Sequence, residues 1–124
     1  AALYIIESKN QSKPVLVVCP PTLVDHWLNE AKIKLPIIFS DSVAYIGLLS
    51  VRHAQLAQVK ERGAKTATLF VTSYAILKKD ANLLNGLEFG YVIFDEAHIL
   101  RNRKGALFAA ARKINSDFRL ALTG

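Results

Sequence analysis

Five short apolar runs set the strongest limit on how this chain can fold: PVLVVC at 14–19, SVAYIG at 42–47, ATLFVT at 67–72, YVIFDE at 91–96 and FRLALTG at 118–124. Most are continuous in Val, Ile, Leu and Phe, with little polar alternation, which marks strands covered on both faces, as in a parallel sheet. The segments between them have helical spacing. After Pro20 and Pro21, the residues Leu23, Trp27, Leu28 and Ala31 share one helix face. Residues 48–61 turn Leu49, Leu56 and Val59 inward and Arg52 outward, and residues 107–114 repeat the pattern. This β-α-β-α order implies a wound α/β architecture, a mostly parallel sheet with flanking helices and right-handed crossovers. The polar stretches at 8–13 and 85–90 read as connections, and there is no internal repeat or low-complexity segment. The chain reads as one domain.

With 52% apolar and 21% charged residues in 124, the chain has the means to bury a core and is not of the disordered class. Sixteen Lys and Arg against ten Asp and Glu give a net charge of +6, which fits a polyanionic partner. The single cysteine, Cys19, can form neither an internal disulfide nor a cysteine-based metal cluster, and it fits a reducing compartment. No run is long enough to cross a bilayer and the first residues do not form a secretion signal. The expectation is an intracellular protein, nuclear if eukaryotic and cytoplasmic if bacterial. The chain starts without Met and stops on LALTG, so it is expected to be part of something longer.

The chemistry-bearing stretch is VIFDEAHILRN at 92–102, where a strand-like run delivers Asp95, Glu96 and His98. In parallel α/β sheets, functional groups gather at the carboxyl ends of the strands. Two adjacent acids at such an edge can divide the work of phosphate-ester hydrolysis: Asp95 as ligand of a hydrated magnesium ion, Glu96 as the carboxylate that orients and polarises the attacking water. His98 is placed to sense phosphate and pass its state on. Zinc does not suit the site, because HExxH spacing is absent and Cys19 has no partner cysteine. The blander alternative is that Asp95 and Glu96 cap a helix N-terminus, where acids are favoured by the helix dipole.

The whole string resembles motif II of the superfamily two helicase-like ATPases, and HILRN is similar to the continuation found in their Swi/Snf group of double-stranded DNA translocases. Other stretches agree in order. VLVVCPPTLVDHWLNE at 15–30 resembles motif Ia of that group, VTSYAIL at 71–77 its motif Ib, and LALTG at 120–124 the start of its motif III. Together they cover nearly the whole chain. VCPPTLVDHW is similar to the ATPases that displace the TATA-binding protein, and the bacterial polymerase-recycling relatives also stay open. The pattern departs from the group at Ile99 and Leu100, where a basic residue is common, and at Gly105, where a hydroxyl residue is common.

The resemblance implies a truncated RecA-like (P-loop NTPase) lobe, the partial N-terminal helicase ATP-binding domain over 1–124, holding motifs Ia, Ib, II and the start of III. It implies ATP and Mg2+ as cofactors, double-stranded DNA as partner, and nucleosomes or a DNA-bound transcription factor as what is remodelled or displaced. A phosphate-cradling GxxxxGK[ST] loop is absent; GAKT at 63–66 has the wrong glycine spacing and precedes a strand. By resemblance, motif I lies upstream of Ala1 and the arginine finger lies on a second RecA-like lobe, so the 124-residue piece alone is expected to have negligible turnover. The resemblance further implies DNA-backbone contacts from Pro21, Thr22, Leu23, Ser73 and Tyr74. Arg101, Asn102, Arg103 and Lys104 form a polar run whose cations add charge to the track, joined by Arg52 and Lys78, and Thr123 and Gly124 link the nucleotide site to DNA. Trp27, four residues from both Leu23 and Ala31, reads as a core anchor, while Tyr74 suits packing and phosphate binding equally. A DEAH-box-type RNA helicase lobe and a non-catalytic RecA-like interaction module are the alternatives.

Overall fold

The computed structural model describes residues 13–34, 41–62, 68–101 and 105–122. Five strands, β1 (Val15–Cys19), β2 (Asp41–Ala44), β3 (Thr68–Ser73), β4 (Phe89–Phe94) and β5 (Ser116–Ala121), form one sheet in the order β2-β3-β1-β4-β5. Every pairing is parallel. The central strands β1, β3 and β4 are buried at every position, the physical reason their sequences lack polar alternation.

Helices α1 (Val24–Lys34), α2 (Leu49–Arg62), α3 (Tyr74–Leu84) and α4 (Ala106–Lys113) pack on the two faces. The pleat of β1 sorts them. Val15, Val17 and Cys19 join Val24, Trp27 and Ala31 of α1, while Leu16 and Val18 join residues of α2, α3 and α4 such as Leu56, Leu77 and Ala110. Edge-to-face contacts of Phe70 with Tyr45 and Phe89 fill the second layer, with ring centroids 6.1 and 6.2 Å apart.

Five details depart from the sequence expectations. Strand β2 ends at Ala44, and Gly47 takes a φ of 88°, a left-handed turn that glycine adopts without a Cβ penalty. Strand β4 ends at Phe94, before the acids. Strand β5 starts two residues earlier than its apolar run and is largely exposed: Phe118 is 52% accessible and stacks on Tyr91 at 5.1 Å. Arg52, expected outward and on the DNA track, is 6% accessible and faces Asp80 of α3. The reason is phase: Arg52, Leu56 and Val59 stand at i, i+4 and i+7 on one face, so its charge follows the buried stripe. Leu49, expected inward, is 49% accessible at the first residue of α2.

A candidate nucleotide site at the carboxyl rim

The register brings the strand ends to one edge. Cys19 is level with Ser73, Val18 with Phe94 and Phe94 with Ala121. The rim therefore collects the residues that follow β1, β3, β4 and β5, with Asp95 and Glu96 beside its centre. The Asp95 N–H donates to the Val18 carbonyl at 2.8 Å, extending the ladder one bond beyond β4. Leu122 N–H donates to Phe94 O at 2.9 Å and Ala97 N–H to Leu122 O at 2.8 Å, which stitches the acidic turn to the exit of β5. Thr123, Gly124, Asn102, Arg103 and Lys104 lie outside the described residues.

At Glu96 the backbone leaves the strand direction through φ 55°, ψ 49°, the left-handed region. A non-glycine residue there costs about 1 to 3 kcal/mol, and such strain persists where the surroundings hold it. Here the Asp95 ladder bond on one side and the Ala97 bond on the other hold it. A four-residue 3-10 turn, Ala97–Leu100, follows, and Glu96 makes no side-chain capping bond to it, so the capping alternative lacks its defining hydrogen bond. Glu96 keeps about a third of its side chain accessible at 30%, and its Oε2 lies 3.4 Å from His98 Nδ1.

Asp95 is gripped from both faces of the sheet. From the α1 face, Trp27 donates its indole N–H to Asp95 Oδ2 at 2.9 Å. From the opposite face, Tyr74 donates its hydroxyl to the Asp95 carbonyl at 2.6 Å. The Glu96 N–H donates to Asp95 Oδ1 at 3.0 Å. A carboxylate has about four acceptor positions, so each oxygen retains one for a metal or a water. Among the described residues, no three His, Cys, Asp or Glu side chains gather into a set that could hold a metal. Two half-exposed neighbouring carboxylates fit magnesium delivered with a nucleotide, which takes one or two protein oxygens and draws the rest from phosphate and water.

The other sequence candidates fall as follows. Pro21 and Thr22 are exposed and Leu23 half-buried in a 3-10 turn leading into α1. Ser73 is buried and caps α3, accepting the Ile76 N–H at 3.3 Å. Tyr74 is 7% accessible and its hydroxyl proton is already given to Asp95, so it packs and bonds the acidic turn. Arg101 and Lys78 are exposed, as are His26 and His53. Trp27 is 9% accessible, a core anchor as its helix phase implies, but one whose polar end finds Asp95. The sequence signals that a buried indole N–H needs an acceptor, but not which one. Sequence reading also passed over Asp80, which shares the buried face of α3 with Leu77, Ala81 and Leu84 and therefore required a buried partner.

Burial at the rim leaves a titration signature. The Cys19 thiol, whose Sγ lies 3.7 Å from the Thr72 carbonyl, is pushed up from 9.0 to about 12, first by desolvation and then by the Asp95 charge. Tyr45 is raised above its ordinary 10.0 by desolvation and by its 2.7 Å bond to Asp80, and Tyr74 is raised above the same value by desolvation and then by Asp95. Groups held protonated in the fold contribute stability that is intact below their unfolded values, near 9 to 10, and is lost as pH climbs through the folded ones. Thermal melting should therefore hold up to about pH 9 and fall as pH rises beyond it, and a thiol reagent at pH 8 should leave native Cys19 unlabelled until the chain unfolds. Rapid labelling of the native chain would contradict this placement.

A model of the SNF2-related domain matches residues 1–124. The chain is 35% identical over 116 residues to the TATA-binding protein-associated factor MOT1 of Saccharomyces cerevisiae, covering 94% of this chain and 6% of that protein. It is 32% identical over 111 residues to the human TATA-binding protein-associated factor 172, covering 90% and 6%. It is also 35% identical over 118 residues to the ATP-dependent helicase FUN30 of Saccharomyces cerevisiae, covering 93% and 10%. Among solved structures, the SWI2/SNF2 ATPase core of Sulfolobus solfataricus in complex with double-stranded DNA superimposes with a TM-score of 0.74 at 26% identity, covering 98% of this chain and 23% of that one. The fold expectation, a RecA-like lobe with a parallel sheet, is met by the five parallel strands and by that likeness. No helix among the described residues is long and apolar enough to cross a membrane.

Proposed function

The chain belongs to the SNF2-related domain family, and from that premise we propose that it is part of the first RecA-like lobe of an ATP-driven translocase on double-stranded DNA. It would hydrolyse Mg-ATP at Asp95 and Glu96 and so move on DNA to remodel nucleosomes or displace a bound transcription factor, in the nucleus if the cell is eukaryotic. The observation that carries this reading is the shared rim. The acids after β4 stand on the same edge as the turns after β1 and β3 and are bonded to the exit of β5. That is where a parallel sheet gathers a ligand.

In this reading Asp95 holds magnesium, which neutralises charge on the phosphates when bound. Glu96, turned out of the strand and half-exposed, orients the attacking water and accepts its proton. His98 lies against Glu96, so a change around His98 is felt by that carboxylate. Thr123 and Gly124 continue from Leu122, whose carbonyl accepts from the acidic turn, and would pass the nucleotide state onward. Pro21, Thr22, Leu23, Arg101, Asn102 and Lys104 would form the DNA track, chiefly by backbone phosphate contacts, while Ser73, buried as the cap of α3, would position the start of that helix beside it. Strand β5, which pairs only with β4 among the described residues and leaves Phe118 bare, offers an edge for the strand that leads into the phosphate loop. The lobe alone, without that loop and a second lobe, should have negligible turnover.

The test is made on the intact protein. Duplex DNA should stimulate its ATPase more than RNA does, and duplex affinity should fall steeply with salt, by about a thousandfold between ~50 and ~200 mM if about six phosphates are neutralised. Lys104→Ala should flatten the logarithmic salt slope by about one. Stimulation by RNA in preference to duplex would move the protein to the RNA helicases, and the absence of any ATPase would favour an interaction module.

A further inference from the structure

Two of the proposed DNA-track segments send a side chain to the same acid. Trp27 stands on α1, one helical turn beyond Leu23 of the exposed Pro21–Leu23 turn, and its N–H holds Asp95 Oδ2 at 2.9 Å. Tyr74 is the first residue of α3, next to the capping Ser73, and its hydroxyl holds the Asp95 carbonyl at 2.6 Å. The two come from opposite faces of the sheet, since Trp27 belongs to the α1 layer and Tyr74 to the α2-α3-α4 layer. Both are at most 9% accessible, so water does not readily replace either donor. Neither side chain is exposed enough to serve as a DNA contact in its own right.

We propose that Trp27 and Tyr74 are positioning residues that report DNA engagement to the magnesium carboxylate: a shift of the Pro21–Leu23 turn or of the start of α3 on a DNA backbone moves a donor on Asp95. Trp27 sets the carboxylate directly. Tyr74 sets the backbone that carries it and, through the same peptide, the left-handed Glu96. A donor on a metal-binding carboxylate fixes which lone pair is free for the ion, and removal of such outer partners weakens metal binding by about 10- to 100-fold. Because the two grips act on different atoms of one residue, their effects should couple when both are removed.

This inference rests on the assignment of Asp95 to magnesium, and the experiment separates the two. In the intact protein, binding of a fluorescent ATP analogue is titrated with Mg2+, with and without saturating duplex DNA, for the wild type, Asp95→Ala, Trp27→Phe, Tyr74→Phe and the double Phe variant. A benzothienylalanine replacement at Trp27, which keeps the ring shape and loses only the N–H, covers the case in which Trp27→Phe fails to fold. The expected result is about a tenfold rise in the Mg2+ needed by either Trp27 replacement, together with loss of the change that duplex causes in the wild type. Duplex affinity measured without nucleotide should stay at the wild-type value. If Asp95→Ala alters the Mg2+ response while the Trp27 replacements match the wild type with and without duplex, the relay is overturned and the magnesium assignment stands. If Asp95→Ala leaves the response unchanged, both fail.

Discussion

Asp80→Ala should cost the fold about 3 to 5 kcal/mol, the range for removing one partner of a buried ion pair. Asp80 is 3% accessible and Arg52 6%. Arg52 Nη1 lies 3.1 Å from Asp80 Oδ2, the same oxygen that accepts the Tyr45 hydroxyl at 2.7 Å. The pair is close but poorly aligned: Arg52 Nε and Nη1 have no hydrogen-bond partner, so its hold on Asp80 is chiefly coulombic. Deleting the acid leaves a guanidinium in the layer between α2 and α3 with neither charge nor acceptor opposite it, and leaves the Tyr45 hydroxyl unpaired. Because Thr72 donates to the Tyr45 carbonyl at 2.7 Å, the loss should also loosen the loop after β2. Urea unfolding followed by the fluorescence of Trp27, the chain's one tryptophan, measures it. Replacing all three groups together, with Tyr45→Phe, Arg52→Met and Asp80→Leu, should recover most of the loss, since an apolar set of similar volume avoids the desolvation penalty. A loss below about 1 kcal/mol for Asp80→Ala would mean that Arg52 reaches water once its partner is gone.

That network joins residues up to 35 apart and is not legible in any local pattern, unlike the strands. The strands were legible because burial on both faces removes polar alternation, and β1, β3 and β4 are buried throughout. Placement of Asp95 and Glu96 at the rim followed from a hydrophobic run ending in acids. The charge of Arg52 points outward on composition alone, whereas its phase with Leu56 and Val59 places it inside. The left-handed Glu96 has no signature in composition, since the conformation is imposed by bonds to Val18 and Leu122 that lie far along the chain. The grip of Trp27 on Asp95 spans 68 residues and arises from the stacking of α1 over the β1-β4 rim, a tertiary fact that no local pattern encodes. The open Phe118 in FRLALTG, a run with the composition of a covered strand, fits the further strand proposed to pair with β5.

The most direct measurement of the central claim, that Glu96 beside Asp95 performs the water-activating step of ATP hydrolysis, is the DNA-stimulated kcat of the intact protein carrying Glu96→Gln. Glutamine keeps the size of the side chain and fits the left-handed backbone no worse than glutamate, but it cannot accept a proton from water. The account predicts a fall in kcat of about 10^2- to 10^4-fold, with Mg-ATP and duplex DNA bound as tightly as by the wild type. A variant that turns over at the wild-type rate, or one whose loss lies wholly in KM, would contradict it.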